Sequence, residues 1–210
     1  MSKRYDQYCP IAHALGLVGE RWSLLIVREL LQGPKRYTDL AAELPGIGTN
    51  ILAARLKDLE QCGVITKRRL PPPFASQVYE LTPYGHALKP VMRELAIWGI
   101  QSLGEPKEDE LYPGWLVSAL DTVFAPVAPS GSFEFRVGEE LASIVDGEVR
   151  AGSIEQPDVL VETDAVGFYW LFLERRWDRV RVEGDRELLE RFLDAAAPPV
   201  ADEAPLAASA

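Results

Sequence analysis

Three features of the chain point to an α+β protein built as two units. Its charge is lopsided: residues 1–102 carry 13 Lys and Arg against 9 Asp and Glu (net +4), whereas residues 103–210 carry 9 against 23 (net −14). The first half reads as helices around one short hairpin. The second half mixes alternating strand patterns with apolar helices. At 210 residues, 47% hydrophobic and 26% charged, the chain has a globular make-up with room for one large core or two small ones. That excludes a wholly disordered chain. The longest apolar runs, 24–27 and 168–173, fall far short of the roughly 20 residues of a membrane span. Residues 1–10 show no apolar leader core, so no membrane partner is expected and the cytoplasm is the expected compartment. Cys9 and Cys62 are too few for a disulfide framework or a multi-cysteine metal site. His13 and His86 have no ligand-spaced companions, so neither a metal nor a cofactor is expected.

The elements follow in order. Ile11 to Leu17 reads as a short helix ending at Gly19, and Trp22 to Leu31 as a second, stopped by Gly33-Pro34. Thr38 can cap a third helix running to Leu44. Pro45-Gly46-Ile47-Gly48 is a turn, and a fourth helix runs from Thr49 to Gln61 and stops at Gly63. Leu52, Leu56 and Leu59 line one buried face of it. Asn50, Ala54, Lys57 and Gln61 fall on the opposite face, with Arg55 on a flank. Small and hydrogen-bonding groups near the helix start, then a cation, suit a helix that enters the DNA major groove. The plain alternative is a solvated helix face.

Val64 to Leu70 and Gln77 to Thr82 read as two strands joined by the proline-rich tip Pro71-Pro72-Pro73. Lys67-Arg68-Arg69 sits where the first strand runs out toward the tip. Strand side chains alternate, so at most two of the three share a face, which with the loop could straddle a phosphate backbone. Alone, so short a basic run is usually solvated. Pro83 opens a last helix, Tyr84 to Leu103, whose stripe of Leu88, Val91, Leu95 and Trp98 is long for the remaining core and could pack on a second copy. Three helices, a recognition-type helix and a two-stranded wing make the order of a winged helix-turn-helix. The polar run Gly104 to Glu110 is linker-like.

Residues 8–99 resemble the HxlR family of bacterial transcription regulators. The matching stretches are Tyr8-Cys9-Pro10-Ile11, Gly19-Glu20-Arg21-Trp22-Ser23-Leu24-Leu25-Ile26, Gly33-Pro34-Lys35-Arg36-Tyr37-Thr38-Asp39-Leu40 and Leu44-Pro45-Gly46-Ile47. They continue through Leu52 to Leu59, Tyr79-Glu80-Leu81-Thr82 with Gly85, and Trp98-Gly99. The resemblance implies a homodimer paired through its terminal helices on a two-fold-related operator of double-stranded DNA. Gly48 departs from the hydroxyl residue usual in the family. Glycine caps nearly as well, but a phosphate contact from that hydroxyl would be missing.

On this reading Arg36, Lys57, Lys67, Arg68 and Arg69 neutralise phosphates, and Thr49, Asn50, Ala54 and Arg55 read bases or fix position. Arg68→Lys is expected to matter less than Arg68→Ala if charge alone is needed there. Some members of the resembled family sense oxidants or electrophiles through a cysteine near Cys9, and Lys3 and Arg4 could lower its pKa if close. The alternative is a small buried hydrophobe. Cys62 looks structural.

In the second half, Leu111 to Phe124 is helical and Ala125 to Gly131 reads as a Pro/Gly linker. Phe133, Phe135 and Val137 alternate with Glu134 and Arg136, a half-buried strand. Leu141 to Val145 and Val149 to Ala151 flank the hairpin turn Asp146-Gly147. Val159 to Glu162 is a strand, Ala165 to Leu173 an apolar helix, and Arg179 to Val182 a last strand. Asp185 caps a closing helix with Leu188, Leu189, Phe192 and Leu193. This order, with Gly184-Asp185 after the last strand, resembles a sterol-carrier-protein-type lipid-binding domain over about residues 111–195. The linking loop from Glu174 to Asp178 is shorter than usual there, which implies a small or reshaped tunnel. Phe133, Phe135, Phe168, Tyr169, Trp170 and Phe172 are the candidate pocket lining. The alternative for that helix is plain core.

The expected organisation is a winged-helix DNA-binding domain at 1–103, a linker at 104–110, a sterol-carrier-like α+β domain at 111–196 and a disordered tail at 197–210. The expected function is a DNA-binding, dimeric transcription regulator responsive to an apolar small-molecule ligand in the C-terminal domain. Two alternatives are a hydrophobic-ligand carrier using the winged helix for protein contacts, and a regulator switched through the Cys9 thiol. No catalytic constellation is present in the sequence, so an enzyme is not expected.

Overall fold

A computed structural model of the chain describes residues 5–71, 75–107 and 111–196. Lys3, Arg4, the tip prolines Pro72 and Pro73, the linker end 108–110 and the tail from 197 lie outside the described residues. The chain divides into two compact units, Met1–Met92 and Arg93–Ala210.

The first unit opens with α1 (Pro10–Val18), α2 (Ser23–Leu31), α3 (Tyr37–Glu43) and α4 (Thr49–Gln61). The antiparallel wing follows as β1 (Ile65–Arg69) and β2 (Gln77–Leu81), then α5 (Pro83–His86), and α6 (Lys89–Ile100) runs across the Met92–Arg93 division. Ile26, Val27 and Leu30 of α2, Leu40 of α3, and Leu52, Leu56 and Leu59 of α4 close one core over Val64 and Ile65 at the root of the wing. This is the winged helix-turn-helix order that the apolar spacing predicts. Thr38 is not the cap of α3. Backbone pairing of Lys35 with Tyr79 (3.0 and 2.8 Å) carries the chain as an extra strand edge up to residue 35. Arg36 is therefore the N-cap, and its N–H donates to the Asp39 carboxylate at 2.8 Å. The single helix expected from Tyr84 to Leu103 is also interrupted. Pro90 has no N–H to continue a helix from α5 but fits the first turn of a new one, so the chain makes a tight turn at Ala87-Leu88 and restarts at Lys89.

The second unit holds a five-stranded mixed sheet in the order β5-β4-β3-β6-β7. The strands are β3 (Ser132–Val137), β4 (Glu140–Val145), β5 (Glu148–Ala151), β6 (Val159–Thr163) and β7 (Arg181–Gly184). β3 runs parallel to β6, and the other neighbours are antiparallel. Asp146 (φ 50°) and Gly147 (φ 81°) form the tight hairpin turn that Asp-Gly predicts. α7 (Trp115–Ala119), α8 (Ala165–Tyr169) and α9 (Arg186–Ala196) supply the helical cover. α7 runs on through a π turn, Leu120–Phe124, into a 3-10 turn, Ala125–Val127, where a linker was expected. Ala125 is buried there, and Pro126 sits where no N–H is required. α8 likewise continues as a π turn, Trp170–Glu174. Asp185 caps α9 as expected, accepting from the Leu188 N–H at 2.9 Å. Gly184, at φ 94°, lies where a Cβ would collide with the Asp158 carbonyl oxygen, which accepts the Asp185 N–H at 2.7 Å.

One strand prediction fails in an informative way. Alternation places Glu134 on the solvent side of β3, yet it is fully buried. β3 is the central strand, and the loop after β5 covers its far face. There the Ile154 N–H donates to the Glu134 carboxylate at 2.9 Å, and Arg136 pairs with it at 2.7 Å. A buried carboxylate requires such partners.

Candidate nucleic-acid interface

The placement of α4 begins with its three leucines, all buried in the core. Gly48 is the N-cap and offers no side chain to it. The start of the helix is instead tied down by the Tyr37 hydroxyl, which donates to the Thr49 carbonyl at 2.8 Å. Thr49, Asn50, Ala54 and Lys57 are exposed, as the helical wheel requires when Leu52, Leu56 and Leu59 point inward. Arg55 is half-buried on the flank, where Asp58 (2.7 Å) and Glu20 (3.6 Å) hold it.

In the wing, Lys67 lies across from Tyr79, Arg68 from Val78 and Arg69 from Gln77. Alternation therefore puts Lys67 and Arg69 on one face and Arg68 on the other. The Lys67 ammonium reaches Glu60 at the end of α4 (2.9 Å) and sits 5.5 Å from the Tyr79 ring centre. Its hydrogen bond to Glu60 raises its pKa above the ordinary lysine value. Arg68 uses its Nε to donate to both oxygens of Glu80, at 3.0 and 2.9 Å. Glu80 is the diagonal cross-strand neighbour of Arg68 in this pairing. The Nε of Arg69 donates to the Ala75 carbonyl at 3.4 Å. Arg36 and Lys57 are exposed and, among the described residues, form no salt bridge.

The arrangement thus has two parts. A helix presents small and polar side chains at its start, and a β-ribbon carries cations beside the end of the same helix. Three of the six cations named from sequence, Arg55, Lys67 and Arg68, are balanced by carboxylates of the same unit. Sequence reasoning missed those carboxylates. It also missed Ile51, an isoleucine 45% exposed in the first turn of α4. The signal for Glu80 was its diagonal position across the hairpin. The signal for Ile51 was an apolar residue off the leucine face.

Cys9 is the N-cap of α1 and is half-buried. It borders a groove of about 560 Å³ whose walls include Tyr5, Tyr8 and His13. The Cys62 thiol donates to the Leu59 carbonyl at 3.4 Å, a structural role. Among the described residues no three His, Cys, Asp or Glu side chains are placed to hold a metal. Among them, too, no helix is long and apolar enough to cross a membrane.

In the second unit the six candidate lining residues separate into two sets. Phe133, Phe135, Phe168 and Phe172 are buried with Phe124 and Phe192. Their rings meet one another directly: Phe168–Phe172 at 4.6 Å, Phe133–Phe192 at 4.9 Å and Phe135–Phe168 at 6.1 Å between centres. This is the packing of a core helix on a sheet. Tyr169 and Trp170 are only partly buried. The Trp170 indole N–H donates to Glu105 at 2.8 Å, and the Arg176 guanidinium stacks 3.6 Å from the ring centre. Burial, aided by Glu174 and Glu105, raises the Tyr169 pKa.

Comparison with known proteins places the resemblance in the first half. The HxlR-like helix-turn-helix family profile matches residues 17–107. The HTH-type transcriptional regulator YodB of Bacillus subtilis is 38% identical over 94 residues, which is 44% of this chain and 84% of that protein. The uncharacterized HTH-type transcriptional regulator YtfH of Escherichia coli is 33% identical over 96 residues, 45% of this chain and 75% of that protein. Among solved structures, the reduced form of YodB shares 37% identity, covering 49% of this chain and all of that one, with a TM-score of 0.41. The family and these relatives are transcription regulators, not enzymes.

Proposed function

The chain belongs to the HxlR-like helix-turn-helix family, and from that premise we propose that it is a dimeric transcription regulator that grips double-stranded DNA with α4 and the β1–β2 wing. The observation that carries this reading is α4 itself. Its leucines are spent on the core, while Asn50, Ala54 and Lys57 are exposed on its other side. In the proposed complex Asn50 reads a base edge, Ala54 permits close approach, and Lys57 with Arg36 meets phosphates. Thr49 and Arg55 fix position at the helix start and flank. Lys67, Arg68 and Arg69 place the wing along the backbone.

Two copies would set their recognition helices about 34 Å apart, one turn of duplex. The support for pairing is the apolar surface left on two helices: Ile11 and Leu15 on α1, and Val91, Leu95 and Trp98 on α6. A DNA-bound role also fits a cytoplasmic location.

The acidic second unit is our candidate for a sterol-carrier-like, ligand-responsive domain, supported by its order of elements and its aromatic interior. Four of the proposed lining rings also pack against one another, so a pocket for an apolar ligand would be bounded by rings already in mutual contact. The carrier alternative has the weaker support, since the relatives are regulators. A Cys9 switch has the support of a thiol that borders a groove.

The test is fluorescence anisotropy with duplexes from the protein's own locus, at 50 to 200 mM salt. Wild type should bind with a steep negative salt slope, and Asn50→Ala should lose about 1–3 kcal/mol against one base pair. Lys57→Ala should flatten the slope by about 0.9. Binding that ignores both substitutions would overturn the assignment.

A further inference from the structure

We propose that Ile51 is a specificity-determining residue that recognises the 5-methyl group of a thymine in the major groove. The inference rests on the DNA-binding reading above and adds to it the base feature that is read.

The physical case starts from what Ile51 is not doing. The core side of α4 is taken by Leu52, Leu56 and Leu59, all buried, whereas Ile51 leaves 45% of its surface in solvent. An exposed isoleucine gains nothing for the helix, since its β-branch makes it a poorer helix former than alanine or leucine. One turn on, the Arg55 guanidinium is held by Asp58 and Glu20. Ala54, also one turn on, is small and exposed. Ile11 and Leu15 stand in a stripe on α1, and Val91, Leu95 and Trp98 in another on α6. Ile51 belongs to neither stripe and lies in the first turn of α4.

In a helix-turn-helix complex the first turns of that helix meet the base edges. Those edges offer one apolar group, the thymine methyl. A branched aliphatic side chain is its complement: it cannot hydrogen-bond a base edge, and it gains by excluding water from the methyl. Asn50 beside it supplies the polar contact to an adjacent base, so the pair would read a polar edge and a methyl in succession.

The experiment enriches a duplex from a random-sequence library with the wild-type protein. Each thymine in it is then replaced singly by deoxyuridine, which removes only the methyl group. Affinities are measured by anisotropy for wild type, Ile51→Val and Ile51→Ala, with sedimentation and melting controls. For wild type, one position per half-site should lose about fourfold in affinity, the equivalent of one desolvated methyl at ~0.8 kcal/mol. Ile51→Val should keep part of that difference and Ile51→Ala should lose it. Equal deoxyuridine losses in wild type and Ile51→Ala, or no loss at any thymine with tight binding retained, would overturn the inference and leave DNA binding standing. A changed assembly mass for Ile51→Ala would place the residue in a protein contact and also overturn it. Failure to enrich any duplex would overturn the regulator reading, and this inference with it.

Discussion

Replacing Glu80 by glutamine tests the proposal that a wing cation changes partners when duplex binds. In the free protein the Arg68 Nε donates to both Glu80 oxygens at 3.0 and 2.9 Å, with the arginine side chain 46% and the glutamate 26% exposed. A pair this exposed contributes about 0.2–1 kcal/mol to folding. The glutamine oxygen can still accept the same N–H, so the arginine stays in place while one negative charge leaves the wing. Arg68 then meets a phosphate without a competing carboxylate. We expect Glu80→Gln to bind duplex about 2–5-fold more tightly near 100 mM salt, a gain of the size of the lost pair. The log–log salt slope should steepen by up to about 0.9, which is about 3.5-fold between 50 and 200 mM. The melting temperature should move little. Anisotropy titrations at four salt concentrations measure both quantities. Superimposable curves for wild type and Glu80→Gln would refute the partner exchange. Arg68→Lys adds a second check. A lysine keeps the charge but lacks the planar fork that matches a phosphate bidentately, so it should bind more weakly than wild type, though better than Arg68→Ala.

Other expectations concern assembly and stability. Trp98, 72% exposed on α6, should act as an interface anchor: Trp98→Glu should weaken dimerisation by about thirtyfold or more, corresponding to about 2 kcal/mol, as read by analytical ultracentrifugation. Phe172→Ala removes a ring that meets Phe124, Phe135, Phe168 and Phe192. It should cost the second unit about 3–5 kcal/mol in urea unfolding. The hydroxyl and backbone N–H of Ser132 donate to Asp158 at 2.7 and 2.8 Å and hold its pKa below the ordinary 3.8. A depressed folded value stabilises above the unfolded pKa and is lost as pH falls through the folded one. Ser132→Ala should therefore flatten the fall in the urea midpoint below about pH 4.

What could be read in advance followed from local periodicity. The leucine face of α4, the hairpin at Asp146-Gly147 and the cap at Asp185 each depend on residues within a turn or two of one another, and each is found where spacing places it. What could not be read depends on distant segments. Glu134 looks solvent-facing until the loop carrying Ile154, twenty residues later, closes over it. Thr38 looks like a cap until the Lys35–Tyr79 pairing decides where the extended chain ends. The basic run Lys67-Arg68-Arg69 looks fully available to phosphate. The carboxylates that restrain two of its members come from α4 and from the opposite strand. Pro90 is a local signal by contrast, since a proline inside the 84–103 pattern divides it. Phe133, Phe135, Phe168 and Phe172 are buried as their patterns predict, but periodicity does not distinguish a ring that lines a space from one that only packs.

Gly184 fixes a point of no substitution at the end of β7. Its backbone angle and the Asp158 carbonyl pressed against it admit hydrogen and nothing larger. The exposed β7 positions Arg181 and Glu183 can vary while this one is held. Any other residue at 184 must push the Asp158 carbonyl aside, and with it the hydrogen bond from the Asp185 N–H that seats the start of α9.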